Sequence, residues 1–292
     1  MYLPDVQLHQ AASLQDASTL LDDRGPDARL LAGGTDLLVD LKTGRLRVTH
    51  LVSLNRIDTL RGVTANDGGL HIGPLTTITD LGRATAVAER FAPIHDATSR
   101  MAAPQIRNRA TVGGNIASAV PCADLPPILT AMNASVVLWS TRGQREVPLD
   151  SFFVGARQTV LAGGEILSGV RVPDPPPGFG AAYARFALRN GNAIAVAAVA
   201  ASVTLSGKDT VRDARVVLGA VAPVPKLVES AGSALLGQSP DDDAFHRAAV
   251  AARDAAEPIS DIRGSADFRR HLVQVLTHQA LATACARARE TL

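Results

Sequence analysis

The sequence has few cysteines and few aromatic residues. Only Cys122 and Cys285 occur among 292 residues, and Phe, Trp and Tyr together make up 3%. Two cysteines exclude a disulfide scaffold, a four-cysteine zinc site and an iron–sulfur cluster held by this chain alone. Any redox chemistry therefore requires a cofactor that is not built on the chain's own cysteines.

An excess of charge of either sign is also missing. The chain has 29 Lys and Arg against 28 Asp and Glu, a net charge of +1. Proteins that bind nucleic acid or an acidic membrane usually carry an excess of positive charge, which this sequence does not have. The first ten residues contain no basic and apolar leader, and no segment approaches about 18 uninterrupted apolar residues. We expect a cytoplasmic protein without a membrane span.

Several common catalytic motifs are absent as well. The sequence contains no GxxxxGK[ST], GxGxxG, HExxH or GxSxG, which argues against a P-loop, a Rossmann nicotinamide site, a zinc peptidase and an α/β-hydrolase. The seven histidines are scattered without the spacing of metal ligands. Cys122 has no histidine nearby in sequence and is expected to be a small buried residue rather than a nucleophile.

The hydrophobic pattern of the first part predicts mixed helices and strands. At about 150 residues per domain, the length suggests about two domains. The pattern predicts a capped helix over 13–23, a strand and tight turn leading into a helix or strand over 30–42, strands over 48–55 and 70–73, a helix over 76–90, and a proline-bounded helix and a strand within 107–139.

A cluster of four prolines in 173–180 predicts the domain boundary, because the residue before each proline is pushed out of helical conformation. Two long apolar runs that follow predict paired strands of a sheet with one face buried. The end of the chain predicts a helix over 265–289. Its packed face would hold Phe268, Leu272, Val275, Leu276 and Ala280, with Arg269, Arg270 and His271 on its other faces. These arginines would face a partner chain or solvent.

Two glycine pairs are the main candidates for chemistry. Gly33-Gly34 and Gly113-Gly114 each follow an apolar or β-branched approach, and each is followed by a polar residue. Glycine lets backbone N–H groups approach phosphate oxygens closely, so two such loops suit a diphosphate. A glycine pair taken alone is more often a simple tight turn.

Several charged residues near these pairs could have a structural role or bind a ligand. Asp124 precedes two prolines that start a helix well, so it is a candidate helix cap, a candidate acceptor for a ribityl or ribose hydroxyl, or both. Asp36 is a candidate cap of the helix that follows it. Arg107 and Arg109 are phosphate partners or, as we favour, solvated or interdomain charges.

Together these segments resemble the FAD-binding medium subunits of the molybdenum hydroxylases, the family of xanthine, carbon monoxide, quinoline and nicotine dehydrogenases. The resemblance rests on LLAGGTDLLVDLK, IRNRATVGGNIASAVPCADLPPILTAMNASV, GEILSGVRVP, RFALRNGNAIAVAAVA, LGAVAPVP and SDIRGSADFRRHLVQVLTHQAL, in the family's order. It implies an α+β fold: a flavin domain of the vanillyl-alcohol-oxidase or p-cresol-methylhydroxylase type over 1–175, with subdomains of about 1–55 and 56–175, and a carbon monoxide dehydrogenase flavoprotein-like α+β domain over 181–292.

The resemblance also implies a set of residues that bind non-covalent FAD. The diphosphate would lie between Leu31 to Asp36 on one side and Thr111, Gly114, Asn115 and Ser118 on the other. Leu167, Arg185 and the neighbourhood of Met101 would lie near the isoalloxazine ring, where Arg185 replaces a lysine frequent in the family. The full expected set is Leu31, Ala32, Gly33, Gly34, Thr35, Asp36, Ala102, Ala110, Thr111, Gly114, Asn115, Ser118, Asp124, Leu167 and Arg185.

In such a family the chain needs no general base or nucleophile. The resemblance implies a large subunit with a molybdenum cofactor, and a small subunit with two two-iron two-sulfur clusters that reduce this FAD. An external acceptor (NAD, a quinone, oxygen or a carrier protein) would then take the electrons, and the heterotrimer would pair into a dimer. Two alternatives are a self-contained flavin oxidase of the same fold and a non-catalytic nucleotide-binding module.

Overall fold

The computed structural model describes residues 2–66, 68–207 and 210–292. The chain begins with a small unit of three parallel strands in the order β1-β3-β2. Helix α1 starts at its predicted cap, where the Ser13 hydroxyl accepts from the Asp16 N–H at 3.1 Å. The segment after the first glycine pair is helical. The elements are β1 (Gln7–Gln10), α1 (Leu14–Arg24), β2 (Ala28–Leu31), α2 (Leu37–Lys42) and β3 (His50–Ser53).

A larger unit follows, built on an antiparallel sheet of order β4-β5-β10-β6-β7. One face of this sheet is apolar and packs against the helices of the unit. The elements are β4 (Val63–Asn66), β5 (Gly69–Ile72), α3 (Ile78–Arg83), α4 (Thr85–Arg90), α5 (Ala92–Arg100), α6 (Pro104–Arg107), α7 (Val112–Ala117), α8 (Leu125–Ala131), β6 (Ser135–Ser140), β7 (Gly143–Pro148), β8 (Phe153–Gly155), β9 (Gln158–Thr159) and β10 (Ile166–Val172).

The single helix predicted over 76–90 is wrong, because the chain breaks at Ala84 into α3 and α4. Leu81 and Val87 are both fully buried. Six residues turn a straight helix by about 600°, so one helix would point these two side chains in different directions. The break lets both side chains reach the same core.

The C-terminal part is a four-stranded antiparallel sheet, of order β11-β12-β13-β14, covered by helices. All nine residues of β12 are buried. The prediction of a sheet with one buried face is therefore wrong for this strand, which packs between α11 and α8. The elements are β11 (Phe179–Phe186), β12 (Ala197–Leu205), β13 (Val211–Gly219), β14 (Lys226–Leu227), α9 (Glu229–Ser233), α10 (Asp242–Ala255) and α11 (Ala266–Glu290).

Helix α11 corrects two further expectations. Leu272, Leu276 and Ala280 are buried as predicted, but Phe268 and Val275 are each 39% exposed. Arg269 was expected off the packed face and is only 3% exposed. Its guanidinium donates to the Val196 carbonyl at 2.9 Å, so it ties the helix to the sheet.

Among the described residues, no helix combines the length and the apolar character needed to cross a bilayer.

Candidate functional site

A cleft of about 1210 Å³ is lined by residues of both the three-stranded unit and the larger sheet unit. The two glycine pairs meet on its walls, as expected. Of the predicted residues, the structure brings eleven to this cleft: Ala32, Gly33, Gly34, Thr35, Asp36, Ala110, Thr111, Gly114, Asn115, Ser118 and Leu167.

The first glycine loop presents unused backbone donors. Among the described residues, no protein acceptor engages the N–H groups of the four residues from Gly33 to Asp36. Gly34 has a φ of +76°, a conformation that favours glycine. At Gly33 a side chain is impossible, because a Cβ would lie 2.0 Å from the Arg109 carbonyl oxygen. A run of free N–H groups in such a turn is a site for an anion.

The second glycine pair does not offer free N–H groups to a phosphate, although the sequence led us to expect them. Its N–H groups are used within the protein: Gly113 donates to the Pro74 carbonyl at 2.8 Å, and Gly114 donates to the Thr111 hydroxyl at 3.1 Å. A Cβ on Gly113 would lie 2.5 Å from the Pro74 side chain. The pair is therefore required for close packing, and this wall of the cleft offers side chains rather than N–H groups.

Asn115 is the clearest of these side chains. Its Oδ1 is buried and has no hydrogen-bond partner within the described chain. A buried polar atom without a partner is costly, so a native structure usually supplies one. A hydroxyl or ring N–H of a bound ligand would satisfy it.

Asp36 lies opposite this wall. Burial raises its pKa above the usual range for a carboxyl, while a hydrogen bond from Ser118 and the charge of Arg157 oppose that rise. The Asp36 side chain forms no capping hydrogen bond to α2, so the cap interpretation is wrong.

Sequence reasoning missed an ion-pair cluster at one end of the cleft. Asp40 is 8% exposed and binds Arg45 and Arg157 through its two oxygens. The Arg157 backbone has a φ of +60° and donates to the Ala119 carbonyl at 2.8 Å. Because Asp40 and Arg157 are 117 residues apart, no local pattern could have paired them.

A second missed feature joins the two sides of the cleft. Ser18 on α1 is fully buried, donates to the Gly164 carbonyl at 2.8 Å and accepts from the Thr141 N–H at 3.2 Å. Gly164 and its neighbours line the cleft. Ser18 therefore fixes the position of the small unit relative to the larger one.

The remaining predicted residues lie elsewhere. Leu31 packs its side chain into the apolar cluster beneath α2. Ala102, Asp124 and Arg185 do not line the cleft and instead form a separate group at the contact with the C-terminal sheet. Ala102 has a φ of +45°, and its carbonyl accepts from the Asn192 N–H at 2.9 Å.

Asp124 is the centre of this second group. It is 6% exposed and accepts a 2.8 Å hydrogen bond from the Tyr183 phenol on Oδ1. The Arg185 Nε lies 3.3 Å from the same oxygen, without hydrogen-bond geometry. Burial raises the pKa of Asp124 to about 6, against the opposing effects of Arg185 and Tyr183. The side chain makes no capping bond to α8, so the cap interpretation is wrong here too.

Cys122 follows its expectation only in part. It is half-buried rather than buried, and desolvation raises the pKa of its thiol. A thiol with a raised pKa is a poor nucleophile, because the thiolate is the reactive form.

The donor set fits an extended dinucleotide such as FAD. Four free N–H groups suit a diphosphate, the partnerless Asn115 oxygen suits a ligand donor, and the volume of the cleft, about 1210 Å³, leaves room for a dinucleotide. The carboxylate of Asp124 keeps its second oxygen, Oδ2, free of protein donors in the described residues.

Two family models match the chain. The FAD binding domain in molybdopterin dehydrogenase matches residues 4–175, and the CO dehydrogenase flavoprotein C-terminal domain matches residues 181–284. The carbon monoxide dehydrogenase medium chain of Hydrogenophaga pseudoflava is 37% identical over 98% of this chain and 99% of its own length. The xanthine dehydrogenase FAD-binding subunit of Escherichia coli O157:H7 is 34% identical over 96% of each chain.

Solved structures agree with these sequence matches. A chain of the Hydrogenophaga pseudoflava carbon monoxide dehydrogenase superposes with a TM-score of 0.95, at 37% identity, over 98% of this chain and 99% of that one. A chain of quinoline 2-oxidoreductase from Pseudomonas putida 86 gives 0.92, at 30% identity, over 99% and 100%. The predicted fold is confirmed, and so is the family. The chain belongs to the FAD-binding medium subunits of the molybdenum hydroxylases.

Proposed function

We propose that this chain binds FAD non-covalently in the cleft and relays electrons through it to an external acceptor. The observation that carries this proposal is the run of free N–H groups from Gly33 to Asp36, opposite the buried and partnerless Asn115 oxygen. FAD supplies the redox chemistry, accepting two electrons and releasing them one or two at a time. The chain itself binds, orients and shields the cofactor.

The cleft residues have separate tasks in this proposal. The free N–H groups of the first glycine loop hold the diphosphate, and the Thr111 hydroxyl, whose oxygen already accepts from Gly114, keeps its proton to donate. Asn115 and Ser118 bind from the opposite wall, and Leu167 contacts the ring.

Asp124 would accept from a flavin-side hydroxyl through Oδ2. Tyr183 and Arg185 hold its other oxygen, so the carboxylate presents a fixed direction. The Arg185 guanidinium is itself held by the carbonyls of Arg100 and Ala193, at 2.6 and 2.9 Å. This places a positive charge beside the region that we assign to the ring, together with Ala102.

The partners in this proposal are those of the family. A large subunit would hold the molybdenum cofactor and hydroxylate the substrate, and a small subunit with two two-iron two-sulfur clusters would pass electrons to the FAD. Two heterotrimers would pair in the cytoplasm. We also propose the division into a flavin domain over 1–175, with subdomains near 1–55 and 56–175, and a C-terminal domain over 181–292.

A self-contained oxidase is less well supported. Such an enzyme needs a general base beside the ring. None of the described residues that line the cleft is His, Tyr, Cys or Lys, and three of its four acids, Asp22, Asp40 and Glu165, are paired with arginines. The fourth acid, Asp36, belongs to the glycine loop that we assign to the diphosphate.

Flavin binding tests the proposal directly. The purified chain is expected to show a flavin spectrum, with FAD recovered in the filtrate after denaturation and identified by mass. Gly33→Ala should weaken FAD binding at least about tenfold, a loss of about 1.4 kcal/mol, because its Cβ would collide with the Arg109 carbonyl. Gly191→Ala is the matched control, since a Cβ there meets nothing within 4 Å. A folded Gly33→Ala variant with unchanged FAD affinity would refute this placement.

A further inference from the structure

Two segments of the chain combine arginines with a complete lack of acids. Residues 97–123 contain three arginines and no Asp or Glu, and residues 175–207 contain two arginines and no Asp or Glu. The whole chain, by contrast, is almost neutral, at +1. Of these five arginines, only Arg185 forms an ion pair within the described part of the chain.

The fold brings these two segments into contact. The Arg185 guanidinium donates to the Arg100 carbonyl of one segment and to the Ala193 carbonyl of the other. The Asn192 N–H donates to the Ala102 carbonyl at 2.9 Å. Ala102 and Asn192 have φ values of +45° and +48°. Both values lie in the left-handed region of backbone conformation, which non-glycine residues seldom adopt. Because the two residues are also hydrogen-bonded to each other, the junction between the two segments is fixed and strained.

Side chains of the two segments form a mixed surface at this junction. Arg107 donates to the Met101 carbonyl at 2.6 Å, and Arg189 donates to the Asn192 carbonyl at 2.6 Å. The same two segments carry three aliphatic side chains that are 39 to 60% exposed. We call this surface the junction patch; it consists of Arg100, Ile106, Arg107, Leu188, Arg189 and Ile194.

We propose that the junction patch is the docking surface of an acidic electron-carrier protein, which is the external acceptor. Three unpaired arginines attract an acidic surface, and exposed aliphatic groups among arginines are typical of protein interfaces. None of the six residues lines the cleft assigned to FAD, and their exposed aliphatic side chains suit a protein surface rather than the enclosed site that a free dinucleotide takes. The patch therefore favours a protein over NAD.

The patch adjoins the region that we assign to the flavin ring. Ala102 and Arg185 belong to the same two segments, so a protein docked here approaches the ring; in this respect the inference rests on the proposed function. The electron balance is simple. Reduced FAD gives up two electrons and two protons, two one-electron carriers take one electron each, and the protons pass to solvent.

Cytochrome c provides a matched pair of probes. The native horse protein is basic, and its succinylated form carries carboxylates on the same haem protein. Binding of each form to the full chain without FAD is measured by calorimetry at about 20 and 200 mM NaCl, because salt screens surface charges. We expect the succinylated form to bind at least about tenfold more tightly at low salt, and to lose this advantage at high salt.

Charge reversal locates the binding. Arg100→Glu with Arg189→Glu should weaken binding of the succinylated form at least about tenfold. Arg212→Glu with Arg247→Glu is the control, because both residues are exposed arginines away from the patch; it changes the net charge equally and should leave binding within about twofold. When FAD is bound to the chain and photoreduced under anaerobic conditions, it should reduce the haem of the succinylated form, which is followed at 550 nm. This reduction should be slower with Arg100→Glu and Arg189→Glu than with the control variant.

Three outcomes would overturn the proposal. Native cytochrome c could bind as tightly as its succinylated form, or both double variants could weaken binding equally. Alternatively, the assembled complex could fail to bind the probe while the free chain binds it, which would assign the patch to a subunit interface. Because the binding measurement needs no FAD, a chain that binds the probe through the patch but takes up no FAD would count against the proposed function alone.

Discussion

The phenol of Tyr183 donates a hydrogen bond of 2.8 Å to the carboxylate of Asp124, across the contact between β11 and the start of α8. Both side chains are buried, at 5% and 6% exposure. The residue that we assign to a flavin hydroxyl is therefore oriented by the C-terminal sheet. Tyr183 does not line the cleft, and it acts in this scheme through Asp124 as a positioning residue.

Tyr183→Phe removes this donor and keeps the ring. We expect FAD affinity to fall about tenfold, in keeping with the loss of one hydrogen bond to a charged group of about 1.5 kcal/mol. The hydrogen bond lowers the pKa of Asp124, so its loss should raise that pKa above about 6. An ionised carboxylate accepts more strongly than a neutral one, so the midpoint of FAD affinity against pH should move upward in the variant.

Fluorescence titration of FAD between pH 5 and 8 checks both effects. Tyr2→Phe is the control, because Tyr2 is 94% exposed. A weaker affinity without a shifted midpoint would mean that Tyr183 only supports the fold.

Asp124 should also reduce the stability of the protein at neutral pH. Its pKa in the folded chain, about 6, lies above the ordinary value of 3.8. The folded state therefore binds more protons than the unfolded state, so stability is lost as pH rises from about 4 to 6. Asp124→Asn removes the charge and keeps an acceptor for Tyr183. It should raise the free energy of unfolding at pH 8 by up to about 3 kcal/mol.

Urea unfolding at pH 8 and pH 5 tests this prediction. The gain should be smaller at pH 5, where Asp124 is mostly protonated in the folded chain. The same variant should bind FAD less tightly, since an amide is a weaker acceptor than a carboxylate. A variant that is less stable at pH 8 would show that the ion pair with Arg185 outweighs the desolvation of the carboxylate.

Local signals in the sequence predicted the short elements well. Ser13 caps α1 where its spacing indicates, and Ser265 begins the predicted last helix as its cap. The two prolines in the first turn of α8 and the apolar runs of β12 and β13 also match the structure. Such signals depend on a few neighbouring residues. The break at Ala84 and the burial on both sides of β12 depend on distant packing, which hydrophobic periodicity does not contain.

The same distinction between local signals and distant packing applies to the candidate site. Both glycine pairs reach one cleft, but sequence reasoning gave them the same task, whereas the N–H groups of Gly113 and Gly114 are used by Pro74 and Thr111. The Asp40–Arg157 ion pair and the Ser18 contacts join residues more than 100 positions apart. A single sequence has no local pattern for such contacts, apart from its resemblance to a family of known fold.

Ser18→Ala should weaken the contact between the small unit and the larger unit that form the cleft. It leaves the Thr141 N–H and the Gly164 carbonyl without their buried partner, a loss of about 1–3 kcal/mol in the free energy of unfolding. We also expect faster FAD release, because Gly164 lines the cleft. Stopped-flow displacement of FAD measures the release rate, and Ser151→Ala, at an exposed serine, serves as control. Equal release rates in both variants would show that Ser18 matters for stability only.

Arg269 gives the sharpest test of the C-terminal packing. Its buried guanidinium donates to the Val196 carbonyl at 2.9 Å and to Asp261 at 2.6 Å. Arg269→Ala leaves a buried carbonyl without a donor and opens a cavity beneath α11, so we expect a loss of about 2–4 kcal/mol in stability.

The neighbouring Arg270 is the matched control for this change. Its side chain is 42% exposed and, within the described part of the chain, forms an ion pair with Asp267 alone, whose side chain is 94% exposed. Arg270→Ala should therefore change stability by less than about 0.5 kcal/mol, as is usual for surface ion pairs. Urea unfolding of the two variants side by side measures both values. Similar losses in the two would mean that the whole start of α11, rather than the buried guanidinium, stabilises the contact between this helix and the sheet.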